Sequence, residues 1–203
     1  MSLWYYFYTR NINGASQKIT SLPPLRTARL TRLFHNRWSV PILAELYEQS
    51  GSKFVTLVQR LNISRDSLRR TLRGLQAQGF VNKNPGYGHP LRPEYILTKN
   101  GKALAPVCVE VIQTLREFHV VEVGLNKWSM PLLFLMGQGT QRFSDLKVAF
   151  PAITSRALTL ALKGLQSVGF VDRTVTDDYP PATSYSLQPK AIQLAHLIAK
   201  LAE

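Results

Sequence analysis

Cysteine is nearly absent from this chain: among 203 residues only Cys108 carries a thiol. One cysteine cannot close an intrachain disulfide or build a cysteine zinc cage, so a secreted, disulfide-stapled fold is excluded. No apolar run approaches the ~20 residues that a membrane-spanning helix needs. The aromatic opening Trp4-Tyr5-Tyr6-Phe7-Tyr8 lacks the basic stretch and small-residue cleavage site of a secretory leader, so a cytoplasmic location is expected. Glycine and proline, twelve of each, stay near average usage and exclude collagenous or low-complexity readings. Catalytic signatures are missing too. His35, His89, His119 and His196 are dispersed without metal-ligand spacing, and neither a phosphate-binding G-x-x-x-x-G-K-[ST] loop nor a G-x-S-x-G elbow occurs. Neither enzyme nor metal site is read here, and no cofactor is expected.

Acid is the other scarcity. Twelve Asp and Glu stand against twenty-five Lys and Arg, for a net charge of +13 and an isoelectric point near 10.2. A field of that sign concentrates polyanions, either nucleic acid or an anionic lipid surface. The excess is uneven. Residues 1–120 hold seventeen basic against six acidic side chains, whereas residues 121–203 hold eight against six.

The chain repeats itself. Arg37-Trp38-Ser39-Val40-Pro41 returns ninety positions later as Lys127-Trp128-Ser129-Met130-Pro131. The same offset aligns Gly74-Leu75-Gln76 with Gly164-Leu165-Gln166 and Gly79-Phe80-Val81 with Gly169-Phe170-Val171. It also aligns Pro90, Tyr95, Leu97 and Leu104 with Pro180, Tyr185, Leu187 and Leu194. Only around Lys53-Phe54 and Arg142-Phe143 does it slip by one, where a loop is a residue shorter. Two copies of one unit account for this register.

Each unit reads alike. After a Trp anchor, Pro41 opens a helix carrying Ile42, Leu43, Leu46 and Tyr47 at helical spacing. Phe54, Leu57, Val58 and Leu61 mark a second short helix, and Asn62-Ile63-Ser64 a turn in which Ser64 caps a third. That helix turns Leu68, Leu72 and Leu75 inward and stops at Gly79. A strand from Phe80, a turn-rich tip over 85–90 and a returning strand over Glu94–Thr98 complete three helices plus a β-hairpin, a winged helix-turn-helix. Leu104, Val107, Val111, Leu115, Val120 and Val121 extend an apolar stripe in which Cys108 sits as a buried structural thiol. The expected fold is mainly α with small β-hairpin wings: a tandem duplicated winged helix-turn-helix, its units fused through a shared connector helix with Pro106 as a kink point. The expected segments are an aromatic N-terminal arm at 1–22, a first winged-helix domain at 23–112 and a second at 113–203. The arm packs on its own core or a second chain, or reaches into a minor groove or a partner.

On the third helix of the first unit, inward leucines leave Arg65, Arg69, Arg70 and Arg73 on the surface. Clustered guanidiniums repel one another until a polyphosphate partner turns repulsion into attraction, and arginine pairs bidentately with guanine O6 and N7. Ser64, Arg65 and Ser67, at the helix start, are placed for base edges, and Arg70 and Arg73 for phosphates. The first wing adds Lys83, His89 and Arg92, with Arg suited to a narrow minor groove; Tyr87 and His89 serve equally well as turn residues. In the second unit Thr154, Ser155, Arg156, Thr159 and Lys163 are the counterparts, but Leu160 replaces Arg70, and Asp177-Asp178 acidifies the wing. That head either reads DNA with fewer phosphate contacts or docks protein. Trp38 and Trp128 are read as core anchors.

The spacing resembles a known family, the HxlR-type winged-helix regulators. Lys127-Trp128, Arg142-Phe143-Ser144-Asp145-Leu146, Ile153-Thr154-Ser155-Arg156-Ala157-Leu158-Thr159, Leu162-Lys163-Gly164-Leu165 and Tyr185-Ser186-Leu187 after Pro180-Pro181 are similar to its signatures. In the first unit Phe54, Leu57, Ile63, Ser64, Leu68, Glu94, Tyr95, Leu97, Thr98 and Gly101 fill the corresponding places. The resemblance spans roughly 24–203. It implies a bacterial transcription factor that binds double-stranded DNA, is nucleoid-associated and more often represses than activates. Relatives pair as homodimers; this chain carries two heads, as a covalent pseudo-dimer would. It lacks the cysteine that some relatives place before the first helix, which removes redox sensing of that kind. A second copy of the chain, through the arm or the connector helix, is the other partner considered; no effector is marked. Two alternatives stand beside this reading: a plasmid or phage replication or partition protein, and a winged-helix protein-interaction module that no longer reads DNA.

Overall fold

The computed structural model describes residues 24–84, 93–176 and 182–203. Four helices open the chain: α1 (Pro24–Leu33), α2 (Ser39–Glu48), α3 (Phe54–Leu61) and α4 (Arg65–Ala77). Strands β1 (Val81–Lys83) and β2 (Tyr95–Leu97) follow, and α5 (Lys99–Glu117) leads into the second half. There the series recurs as α6 (Val121–Gly124), α7 (Ser129–Gly137), α8 (Phe143–Ala149), α9 (Ser155–Ser167), β3 (Val171–Thr176), β4 (Ala182–Leu187) and α10 (Pro189–Ala202). The aromatic arm lies outside the described residues.

The ninety-residue offset survives into hydrogen-bond register. Val81 pairs with Leu97 and Lys83 with Tyr95 in the first antiparallel hairpin; Val171 pairs with Leu187 and Arg173 with Tyr185 in the second. Each hairpin gains a bridge from the stretch that leads into α3 or its counterpart α8. Ser52 exchanges backbone bonds with Tyr95, and the Tyr185 N–H donates to the Gln141 carbonyl. Ser52 and Gln141 are 89 apart while the tyrosines are 90 apart, so the missing residue lies in the loop before α8.

Local chemistry explains the helix-turn-helix geometry. Asn62 takes the left-handed conformation (φ 48°) that ends α3, and Ile63 is buried beneath the turn. The Ser64 hydroxyl accepts the Ser67 N–H at 3.3 Å, and Thr154 accepts the Ala157 N–H at 3.1 Å in the second half. Both satisfy an otherwise orphan donor of a helix start. Gly79 and Gly169 sit just past the ends of α4 and α9 with φ of 73° and 68°, values that side chains rarely adopt. Leu68, Leu72 and Leu75 are fully or almost fully buried, each worth about 1.5–3 kcal/mol against exposure.

The two halves share one hydrophobic core. Within each half the first head helix packs on the closing helix, α2 on α5 and α7 on α10. Across the halves α5 packs on α10, and α1 lies against α7 and α10. Lys200 on α10 reaches Glu110 on α5 at 3.8 Å, and Arg37 reaches Glu122 at 3.1 Å. The connector α5 carries residues of both halves but does not run unbroken through the apolar stripe. It stops at Phe118, His119 turns left-handed (φ 56°), and the chain resumes as the single turn α6. Val120, Val121 and Val123 are β-branched and poor at holding a helix. Gly124 then folds back on Leu115 so closely that an added Cβ would lie 2.4 Å from its Cδ2. Pro106 lies inside α5, where it removes one i→i−4 donor without ending the helix. Cys108 is fully buried on this helix, and burial pushes its thiol up to about 12. No described helix is long and apolar enough to cross a membrane.

Candidate nucleic-acid interface

With its leucine rib in the core, α4 turns Arg65, Arg69, Arg70 and Arg73 to solvent on one exposed face. The arginines are not equivalent. Arg69 donates to Asp66 Oδ1 at 2.9 Å, whereas among the described residues no carboxylate pairs with Arg65, Arg70 or Arg73. Asp66 sits in the first turn, where the helix dipole favours an anion, and it takes one guanidinium out of the free set. Reading the arginines by spacing alone misses this pair, although Asp66 is visible one turn before Arg69.

The serines at the start of α4 are partly engaged. Besides capping, the Ser64 hydroxyl donates to Ser67 Oγ at 2.9 Å. That fixes the turn from which Arg65 projects and leaves Ser67 half-buried. At the wing base Lys83 is exposed but tied to Glu94 at 3.2 Å; the Glu94 hydrogen bond and charge raise the lysine above its usual range. Glu94 also accepts the Phe54 N–H at 3.4 Å, pinning the returning strand to the start of α3. Tyr95 is raised mainly by burial and then by Glu94, against the opposing charges of Lys83 and Arg69, which brings α4 and the wing base into one electrostatic neighbourhood. His89 and Arg92, with Tyr87, lie outside the described residues.

The second head has the same frame with a different surface. Thr154 is used as the cap of α9, and Thr159 Oγ1 donates back to the Ser155 carbonyl at 2.9 Å. Ser155, Arg156 and Lys163 are exposed. Where α4 carries Arg70, α9 presents Leu160, 60% exposed, and Val148 on α8 is 76% exposed. Asp177 and Asp178 fall outside the described residues. The candidate residues thus gather into a cationic face on α4 and a sparser, partly apolar one on α9.

Trp38 and Trp128 pack on the core but are only half-buried, each just before a head helix. Arg37 stacks over Trp38 at 5.4 Å and Lys127 over Trp128 at 4.7 Å. These two cations at the junction of the halves were not singled out from sequence, although the repeated basic-Trp pair was the signal available. Among the described residues no three His, Cys, Asp or Glu side chains gather as a metal site.

A family model described as HxlR-like helix-turn-helix matches residues 33–122 and again 123–203. The uncharacterized HTH-type transcriptional regulator YtfH of Escherichia coli is 32% identical over 85 residues, covering 42% of this chain and 68% of that protein. A counterpart from Synechocystis, sll1512, is 32% identical over 93 residues, 46% of this chain and 69% of its own. A solved structure described as a MarR-family transcriptional regulator from Porphyromonas gingivalis is 25% identical over 41% of this chain and 82% of its own, with a TM-score of 0.38. Two successive matches across one continuous core leave one conclusion: the chain belongs to the HxlR-like helix-turn-helix family, with two tandem copies of that domain.

Proposed function

We propose that this protein is a transcriptional regulator that binds a specific double-stranded DNA site as a covalent pseudo-dimer, represses by occluding a promoter, and draws most of its affinity from the first head. The observation that carries this reading is the face of α4 on a buried leucine rib, where Arg65, Arg70 and Arg73 have no carboxylate partner among the described residues and a recognition helix would enter the major groove. Ser64, Arg65 and Ser67 would meet base edges, Arg70 and Arg73 phosphates, with Lys83, His89 and Arg92 along the minor groove. Thr154, Ser155, Arg156, Thr159 and Lys163 give the second head a weaker contact, so the favoured site is asymmetric. The membership of this family, whose relatives carry the name transcriptional regulator, supports the same reading.

The test is fluorescence anisotropy on duplexes tiled across the gene's own upstream region. One fragment should bind at nanomolar concentration, and Arg65→Ala with Arg73→Ala should weaken it at least tenfold; unchanged affinity in a folded double variant defeats the proposal. Exposed Leu160 and Val148 favour a second role for α9, docking a protein. A preferred DNA sequence that is indifferent to Arg156→Ala and Lys163→Ala would assign the second head to that role.

A further inference from the structure

The halves meet around a cavity of about 310 Å³ that has its own chemistry. Its walls are two repeat-related turns, residues 35–38 before α2 and 125–127 before α7, and its third side is α4 through Ser67, Arg70 and Thr71. Arg37, Arg70 and Lys127 bring three permanent positive charges to it, and no Asp or Glu lines it. The carboxylate closest in chemistry, Glu122, holds Arg37 from outside the lining at 3.1 Å. The tryptophan rings beneath Arg37 and Lys127 fix where those cations stand. Asn36 and Asn126, ninety residues apart, add an amide from each turn. The volume lies at the lower end of small-molecule pockets, about 300–1,000 Å³.

We infer that this seam is a binding site for a small polyanionic metabolite, bearing carboxylate or phosphate groups, and that its occupation weakens DNA binding. Three like charges around a small concavity repel one another, and a compact anion relieves that repulsion. A duplex backbone suits the place less well, because two of the lining residues, Thr71 and Leu125, are buried (2% and 3% exposed) and a compact ligand matches a small concavity better than a convex phosphate chain does. Arg70 makes the site regulatory. It lines the cavity and also belongs to the exposed face of α4, so a ligand that engages its guanidinium withdraws it from DNA. Binding free energies are reciprocal, so DNA must then weaken the anion by the same factor. The regulatory step rests on the DNA-binding reading of α4; the binding step does not.

The experiment separates the two. The full-length protein without DNA is titrated calorimetrically with citrate and, separately, with inorganic phosphate, each at ionic strength matched with sodium chloride. Saturable binding of at least one probe, weakened at least tenfold by Asn126→Asp and retained by Arg65→Ala, is the expected result, and the responding probe tells carboxylate from phosphate chemistry. Heat no greater than the chloride control, or binding undiminished in Asn126→Asp, overturns the site. A loss of DNA affinity in Lys127→Ala with no small-anion binding also overturns it, and makes the seam a contact for duplex phosphate. Where the anion binds, the bound probe should raise the DNA dissociation constant of the wild type and not of Asn126→Asp; an unchanged constant removes the regulatory step alone. Should Arg65→Ala with Arg73→Ala leave DNA binding untouched, the DNA reading fails while the calorimetric result stands.

Discussion

Replacing Arg65 and Arg73 together with alanine removes two guanidiniums that no described carboxylate pairs. Both are exposed on α4 and away from the seam cavity. Alanine is at least as good a helix former as arginine, so the helix persists and the fold's stability should change by no more than about 0.5 kcal/mol. Each lost phosphate contact lowers the slope of log K against log salt by about 0.9. Of the two, Arg73 is the phosphate contact and shifts it by about 0.9, so a fourfold salt increase, from 50 to 200 mM, should weaken the wild type about three and a half times more than the double variant. The assay is anisotropy on the preferred duplex at four or five salt concentrations, with circular dichroism to verify folding. The counter-variant Asp66→Asn frees Arg69 from its 2.9 Å partner and should steepen the slope by up to about 0.9, while costing about 0.3–1 kcal/mol in helix-dipole stabilisation. Identical slopes for wild type and double variant would refute the phosphate-contact argument.

Other expectations are as direct. Gly101→Ala places a Cβ 2.1 Å from the Phe80 carbonyl oxygen, so chemical denaturation should show a loss of about 3 kcal/mol or failure to fold; a loss under about 1 kcal/mol would mean that the hairpin gives way easily. The repeat-related position in the second half is alanine, Ala191, fully buried, so tight approach to the strand is particular to the first half. Cys108 should resist a thiol reagent in the native state and react on unfolding. Burial raises its pKa from 9.0 to about 12, so the unfolded thiol ionises first. Its stability contribution is whole below pH 9 and disappears as pH rises through the interval to about 12; the wild type should therefore lose stability relative to Cys108→Ala as pH rises above about 9. Leu160→Arg should steepen the salt slope by about 0.9 if α9 lies on DNA, and leave it unchanged if that face docks protein.

Sequence periodicity carried furthest where the physics is local or repeated. The leucine rib of α4, the Ser64 cap and the Gly79 stop depend on neighbours within a few residues, and the strand pairing 81↔97 recurs as 171↔187 because the whole unit recurs. What stayed hidden depends on partners that spacing does not announce. The break at His119 is accompanied by the close approach of Gly124 to Leu115, a packing fact that an apolar stripe cannot express. Lys83 looked like a free wing cation until the returning strand brought Glu94 to 3.2 Å. The seam cavity joins two turns ninety residues apart with a side of α4, and only the docking of the halves shows it.

The most direct test of the account is the binding of pure protein to duplexes tiled across its own upstream region at several salt concentrations. One fragment bound at nanomolar level above the others, with a slope near −6 or steeper at about 0.9 per contact, is the predicted result and requires more than one head on the DNA. Equal, weak binding to every fragment that vanishes at moderate salt would contradict it, leaving the arginine face as nothing more than a positively charged surface.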